Sequence, residues 1–168
     1  RSVTVPTADG LELAAWYVPS RNGATIVSLP TRQGKPAQAR MLVRHSYGVL
    51  LLDMRGYDGS EGDSNMFGWG ATRDIDAAVA WLQRQPDVRD GGIGGIGFSV
   101  GGETMLEAAA ENRALRAVVS EGAGVRSVRE ARLRGPAGWF ALPAEAVQTG
   151  ALAVMSGTAP PPSLADVA

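Results

Sequence analysis

The sequence predicts an α/β domain: a mostly parallel sheet with helices on both faces. Three observations carry that reading. Short apolar runs, ATIVSL (24–29), GVLLLDM (48–54) and LRAVVSE (115–121), have the length of buried strands. Segments with apolar residues at helical spacing lie between them, and strands alternating with helices imply parallel pairing. The chain has 168 residues, 45% hydrophobic and 20% charged, which suffices for one domain with its own core.

Each element has its own warrant. Residues 2–19, SVTVPTADGLELAAWYVP, read as a hairpin. Val3 and Val5, then Leu11, Leu13 and Ala15, alternate with other residues around the turn signal Asp9-Gly10. AQARMLVRHS (37–46) reads as a helix. ATRDIDAAVAWLQRQ (71–85) puts Ile75, Val79 and Leu82 on one helical face and stops at Pro86. GIGGIGF (92–98) is a glycine-rich strand, and GGETMLEAAAEN (101–112) is a helix. Beyond residue 124 the pattern changes. VRSVREARLRGPAGWF (125–140) is basic and part helical, PAEAVQTGALAVMSG (143–157) is an apolar helix, and TAPPPSLADVA (158–168) is a proline-bounded tail. The expected division is a core over 1–124, then lid or crossover helices and a tail over 125–168.

The same numbers exclude several kinds of function. The net charge is −1 and no basic run stands out, which argues against a nucleic-acid partner. With no cysteine and one histidine, His45, thiolate chemistry is excluded, and neither a metal nor an organic cofactor is expected. No apolar run approaches the ~18–20 residues that span a bilayer. Residue 1 is Arg, not Met, so the lack of a targeting segment leaves the compartment open, with the cytoplasm as default.

Chemistry concentrates in GGIGGIGFSVGGE (91–103). Gly97, Phe98, Ser99, Val100 and Gly101 form a Gly-x-Ser-x-Gly frame with a strand before it and a helix after it. In that context the serine sits on a sharp turn as a nucleophile, and free N–H groups at the helix start favour an oxyanion. A plain glycine-rich loop with an idle serine is the bland alternative. The run Gly92-Ile93-Gly94-Gly95-Ile96-Gly97 also fits the dinucleotide fingerprint G-x-G-x-x-G. That fingerprint must follow its strand, whereas here the glycines fall within the strand.

LLLDMRGYDGSEGD (50–63), WGATRDIDAAVAWL (69–82) and IGGIGFSVGGE (93–103) together resemble the α/β-hydrolase superfamily, in particular its bacterial esterase, dienelactone-hydrolase-like or peptidase-like members. The resemblance runs from the hairpin to about residue 124. It implies serine-dependent hydrolysis of an ester, thioester or related acyl bond of a small-molecule substrate. Ser99 would be the nucleophile, and the Val100 N–H an oxyanion-hole donor. Arg55, Gly56 and Ser60 of the Asp-x-Arg-Gly-x-x-x-Ser turn are expected to shape that turn, with Asp53 as a structural turn partner. The alternative is a non-catalytic α/β-hydrolase-like binding module using the same cleft.

Three departures from the family pattern matter. After the strand ending at Leu29 the family often has His-Gly; here Pro30 has no N–H, so Thr31 is the expected second oxyanion donor. Arg32 reads as a solvated loop charge or a contact for a substrate carboxylate. The acid usually lies beyond the strand after LRAVVSE. Glu121, closing LRAVVSE itself, is the candidate, with a structural carboxylate as the alternative reading, and Asp166 lacks a preceding strand. His45 precedes its strand while Ser99 follows another, so roughly 15–20 Å should separate them, too far for a base. The chain therefore reads as the front part of a larger hydrolase, with its base beyond residue 168. Trp69, Trp139 and Phe140 could line an acyl pocket or pack in core or lid.

Overall fold

The computed structural model describes residues 1–29, 36–63, 68–124, 128–133, 135–157 and 159–163. The hairpin forms as β1 (Ser2–Pro6) and β2 (Glu12–Val18), paired antiparallel with Val5 opposite Leu13. Alternation is the cause: Leu13, Ala15 and Tyr17 of β2 are buried while Glu12, Trp16 and Val18 are exposed. Thr7 closes the turn, its hydroxyl accepting the Leu11 N–H at 2.9 Å. There follow β3 (Thr25–Leu29), α1 (Pro36–Arg44), β4 (Gly48–Leu52), α2 (Thr72–Leu82), β5 (Ile93–Phe98), α3 (Val100–Glu111) and β6 (Leu115–Glu121), and finally α4 (Val128–Leu133) and α5 (Pro136–Ser156).

The six strands of the described residues make one sheet in the order β1-β2-β4-β3-β5-β6, antiparallel from β1 through β4 and parallel from β4 through β6. The chain steps from β3 to β4 in one direction, then returns past β3 to β5. Right-handed crossovers in opposite directions put α1 and α2 on opposite faces of the sheet. α3 continues in the second direction and packs beside α2. The sense of winding thus reverses around β3. A crevice opens at such a switch point, outside the carboxyl ends of β3 and β5.

The core is one cluster joining hairpin, sheet and α2–α3 through Tyr17, Leu29, Leu50, Leu52, Ile75, Leu82 and Met105. The glycine-rich strand is a packing device: a Cβ at Gly95 would collide with the Met105 thioether. The glycines of the dinucleotide-like spacing have packing reasons too: a Cβ at Gly92 would strike the Gly23 carbonyl, and one at Gly94 would lie 3.1 Å from the Ala117 carbonyl.

Two expectations need correction. The first helix stops at Arg44, so His45 lies in the turn behind it and is exposed. The last helix starts at Pro136 and runs through Pro143, seven residues earlier than the pattern suggested. Pro136 stands in the first turn, where no N–H is needed, and Pro143 removes one interior hydrogen bond without ending the helix.

The Asp-x-Arg-Gly turn after β4 is pinned from three sides. The Ser60 hydroxyl donates to the Asp53 carbonyl at 2.6 Å and accepts the Ala14 N–H at 2.9 Å. The Arg55 guanidinium bridges Asp9 of the hairpin turn (2.8 Å) and the fully buried Asp74 of α2 (2.7 Å). Hydrogen bonding from Arg55 holds the Asp9 carboxyl well below the usual carboxylate range. A depressed carboxylate adds stability above its unfolded pKa, near 4, that fades as pH falls toward the folded value. Asp9→Asn is therefore expected to lower the urea midpoint at pH 6 and to converge on wild type as pH drops below about 4. A gap constant down to pH 2 would contradict this linkage.

Candidate active site

Ser99 occupies the junction between β5 and α3. Its backbone lies at φ 52°, ψ −123°, a region that side-chain-bearing residues rarely adopt. Gly97 makes the junction possible, because a Cβ there would strike the Gly101 carbonyl. Gly101 lets α3 start hard against the end of β3: a Cβ on it would stand 3.0 Å from the Leu29 Cβ. The result is an exposed Ser99 at the carboxyl end of β5, beside the switch point, with its side chain making no capping bond to its own helix.

The backbone around Ser99 is held at both peptide groups. Its N–H donates to the Glu121 carbonyl at 2.8 Å, and its own carbonyl accepts from Gly102 (2.8 Å) and Glu103 (3.1 Å). Val100 is the first residue of α3, and an N–H in that position has no partner within the helix. Such free N–H groups at a helix start favour negative charge nearby.

The other expected residues fall as follows. Glu121 ends β6 opposite Phe98, adjacent to the turn at Ser99, and is exposed. Asp53 follows β4, with β3 intervening, so about 10 Å of strand spacing separates it from the end of β5. Burial, with the Asp58 charge beside it, pushes the Asp53 carboxyl up. His45 precedes β4 at Gly48, and Gly48, Thr25 and Ile93 align across the sheet. It therefore lies at the amino edge and Ser99 at the carboxyl edge. Pro30, Thr31, Arg32 and Asp166 lie outside the described residues. Trp69 is buried, whereas Trp139 and Phe140 are 67% and 89% exposed on α5.

The sequence reading missed Glu103 and the Asp9–Arg55–Asp74 bridge. The signal for Glu103 was its place, four residues after Ser99 in the first turn of a helix that is otherwise apolar there. For Asp74 it was a carboxylate on the buried face with Ile75 and Ala78.

Strand order, winding reversal and the serine on its strained turn define an α/β-hydrolase fold. Residues 3–166 match the X-Pro dipeptidyl-peptidase (S15) family, and the chain belongs to that family. An uncharacterized protein of Mycobacterium tuberculosis is 37% identical over 108 residues, 60% of this chain and 38% of that protein. A polyketide transferase of Penicillium is 31% identical over 133 residues, 70% of this chain and 43% of its own. The solved Penicillium α/β hydrolase GrgF superposes with TM-score 0.70 at 26% identity, over 80% of this chain and 50% of that one. A Pyrococcus furiosus esterase, 23% identical, shares the fold with TM-score 0.69 over 79% and 53%. The chain spans about half the length of these solved structures, and less than half of the sequence relatives.

Proposed function

We propose that the complete protein is a serine-dependent hydrolase of ester- or peptide-like acyl bonds in a small-molecule substrate. The observation that carries this reading is the strained, exposed Ser99 at the strand–helix junction beside the sheet's switch point. Strain of this kind costs of order 1–3 kcal/mol and persists where it serves a reaction. A non-catalytic module would have no use for it.

In the proposed reaction the Ser99 hydroxyl attacks the acyl carbonyl. Its proton passes to a base that residues 1–168 do not supply, since their one histidine stands at the other edge of the sheet. The Val100 N–H, with Thr31 as second donor, steadies the oxyanion; one such donor is typically worth about 3–4 kcal/mol. Glu121 is the candidate for the acid that orients the base. The leaving alcohol or amine takes the proton from the base, and water then releases the acyl group from Ser99. Helices α4 and α5, which pack on each other, are proposed as a lid or crossover beside the crevice.

The test is turnover of p-nitrophenyl acetate. The complete protein is expected to show a burst followed by steady release, as an acyl-enzyme requires. Residues 1–168 alone are expected to be about 10²–10⁴-fold slower per folded molecule, the usual contribution of a general base. Equal turnover per folded molecule would contradict the reading and make Glu121 and Asp53 the first groups to examine.

A further inference from the structure

Glu103 is a buried carboxylate, 8% exposed, that the proposed chemistry does not use. Two of its bonds, of different kinds, bear on Ser99. Its N–H donates to the Ser99 carbonyl at 3.1 Å, and its side-chain Oε1 accepts the Gly124 N–H at 2.7 Å. Gly124 lies three residues past Glu121, whose carbonyl accepts the Ser99 N–H at 2.8 Å. Gly122 turns the chain between them at φ 71°. The bonds therefore close a ring. It runs from the Ser99 carbonyl through Glu103 and Gly124, back along the chain to Glu121, and returns to the Ser99 N–H. Within it, the Glu103 carboxylate is the only link made by a side chain.

We infer that Glu103 is a positioning residue for Ser99: it clamps the loop leaving β6 so that the Glu121 carbonyl holds the nucleophile in its strained conformation. This inference rests on Ser99 being the nucleophile. The physical reason is that a residue in a sparsely populated conformation stays there only while its surroundings over-determine it. Two N–H groups at the start of α3 already fix the carbonyl side of Ser99. The amide side depends on one bond from the last residue of β6, and Glu103 ties down the loop that leaves it. Gly124 leaves room for the close approach: a Cβ there would lie 3.0 Å from Oε1. Loss of the clamp lets the loop move, and displacement of a reacting group by about 1 Å can cost about 10²-fold in rate.

The experiment is pre-steady-state acylation of the complete protein by p-nitrophenyl acetate, with Ser99→Ala as the reference for no reaction at this serine. Glu103→Ala is expected to lower the acylation rate constant by about 10–10²-fold with little change in KM. Glu103→Gln, whose amide oxygen still accepts the Gly124 N–H, is expected to restore it to within about threefold of wild type. A purely structural role would lower the melting temperature of Glu103→Ala but leave the rate of the folded molecules unchanged. Gly124→Pro removes the donor and leaves Glu103 intact, so it gives the same loss and keeps the inference testable where Glu103→Ala does not fold. Wild-type acylation by folded Glu103→Ala or Gly124→Pro, with Ser99→Ala inert, would overturn the clamp and leave the nucleophile standing. Wild-type acylation by Ser99→Ala would overturn both.

Discussion

Ser99→Ala in the complete protein is expected to lower acyl-ester turnover by at least about 10⁴-fold, the scale on which loss of a serine nucleophile acts. The proposed oxyanion donors survive this change, so a small residual rate over water is expected. Stability should hardly move. Alanine meets the same positive-φ penalty as serine, and the Ser99 side chain makes no capping bond whose loss would weaken α3. Ser99→Gly separates the two effects further. It removes the nucleophile but relieves the backbone, which should raise stability by about 1 kcal/mol. A protein made more stable and inactive by one substitution is the signature of strain kept for reaction. Unchanged turnover in Ser99→Ala would remove the proposed mechanism altogether.

Asp74→Ala is expected to cost about 3–5 kcal/mol, the usual result of removing one partner from a buried ion pair. The Asp74 side chain is fully buried, and that of Arg55 is only 14% exposed. Besides the guanidinium, Asp74 accepts the Arg55 backbone N–H at 2.9 Å, so its loss strands a donor as well as a charge. That cost is comparable with the whole stability of a small domain, and most of the protein would unfold in mild urea. Arg73→Ala is the control. Arg73 approaches Asp9 at 3.5 Å with its side chain 67% exposed, so its loss should be worth less than about 1 kcal/mol. Urea midpoints with unchanged slopes measure both. Equal effects for the two variants would mean that the Arg55–Asp74 pair contributes nothing special.

What could be read from the sequence was governed by distance along the chain. Period-two burial in the hairpin and the strand–helix alternation are local signals, and they placed the strands to within a residue or two of the observed elements. Ser99 was legible because strand, serine and helix are contiguous. The Arg55 bridge was not, because its partners lie 46 and 19 residues away and only the fold brings them together. Glu103 sits within the motif itself. Yet its partner, Gly124, follows the next strand, and no pattern around Glu103 announces a hydrogen bond 21 residues off. The start of α5 was hidden by a local rule that tertiary context overrode: Pro143 suggested a helix start and lies inside one. The exposed Trp139 and Phe140 on that helix show the same limit, since aromatic content alone does not tell core from surface.

The most direct measurement is the location of a covalent adduct. The complete protein, treated with a fluorophosphonate and digested with trypsin, yields the peptide 90–113, in which Ser99 is the only serine. The account predicts stoichiometric modification of Ser99 in that peptide, with turnover lost in proportion. An adduct on another residue, or a protein that hydrolyses acyl esters while Ser99 stays unmodified and activity persists, would contradict it.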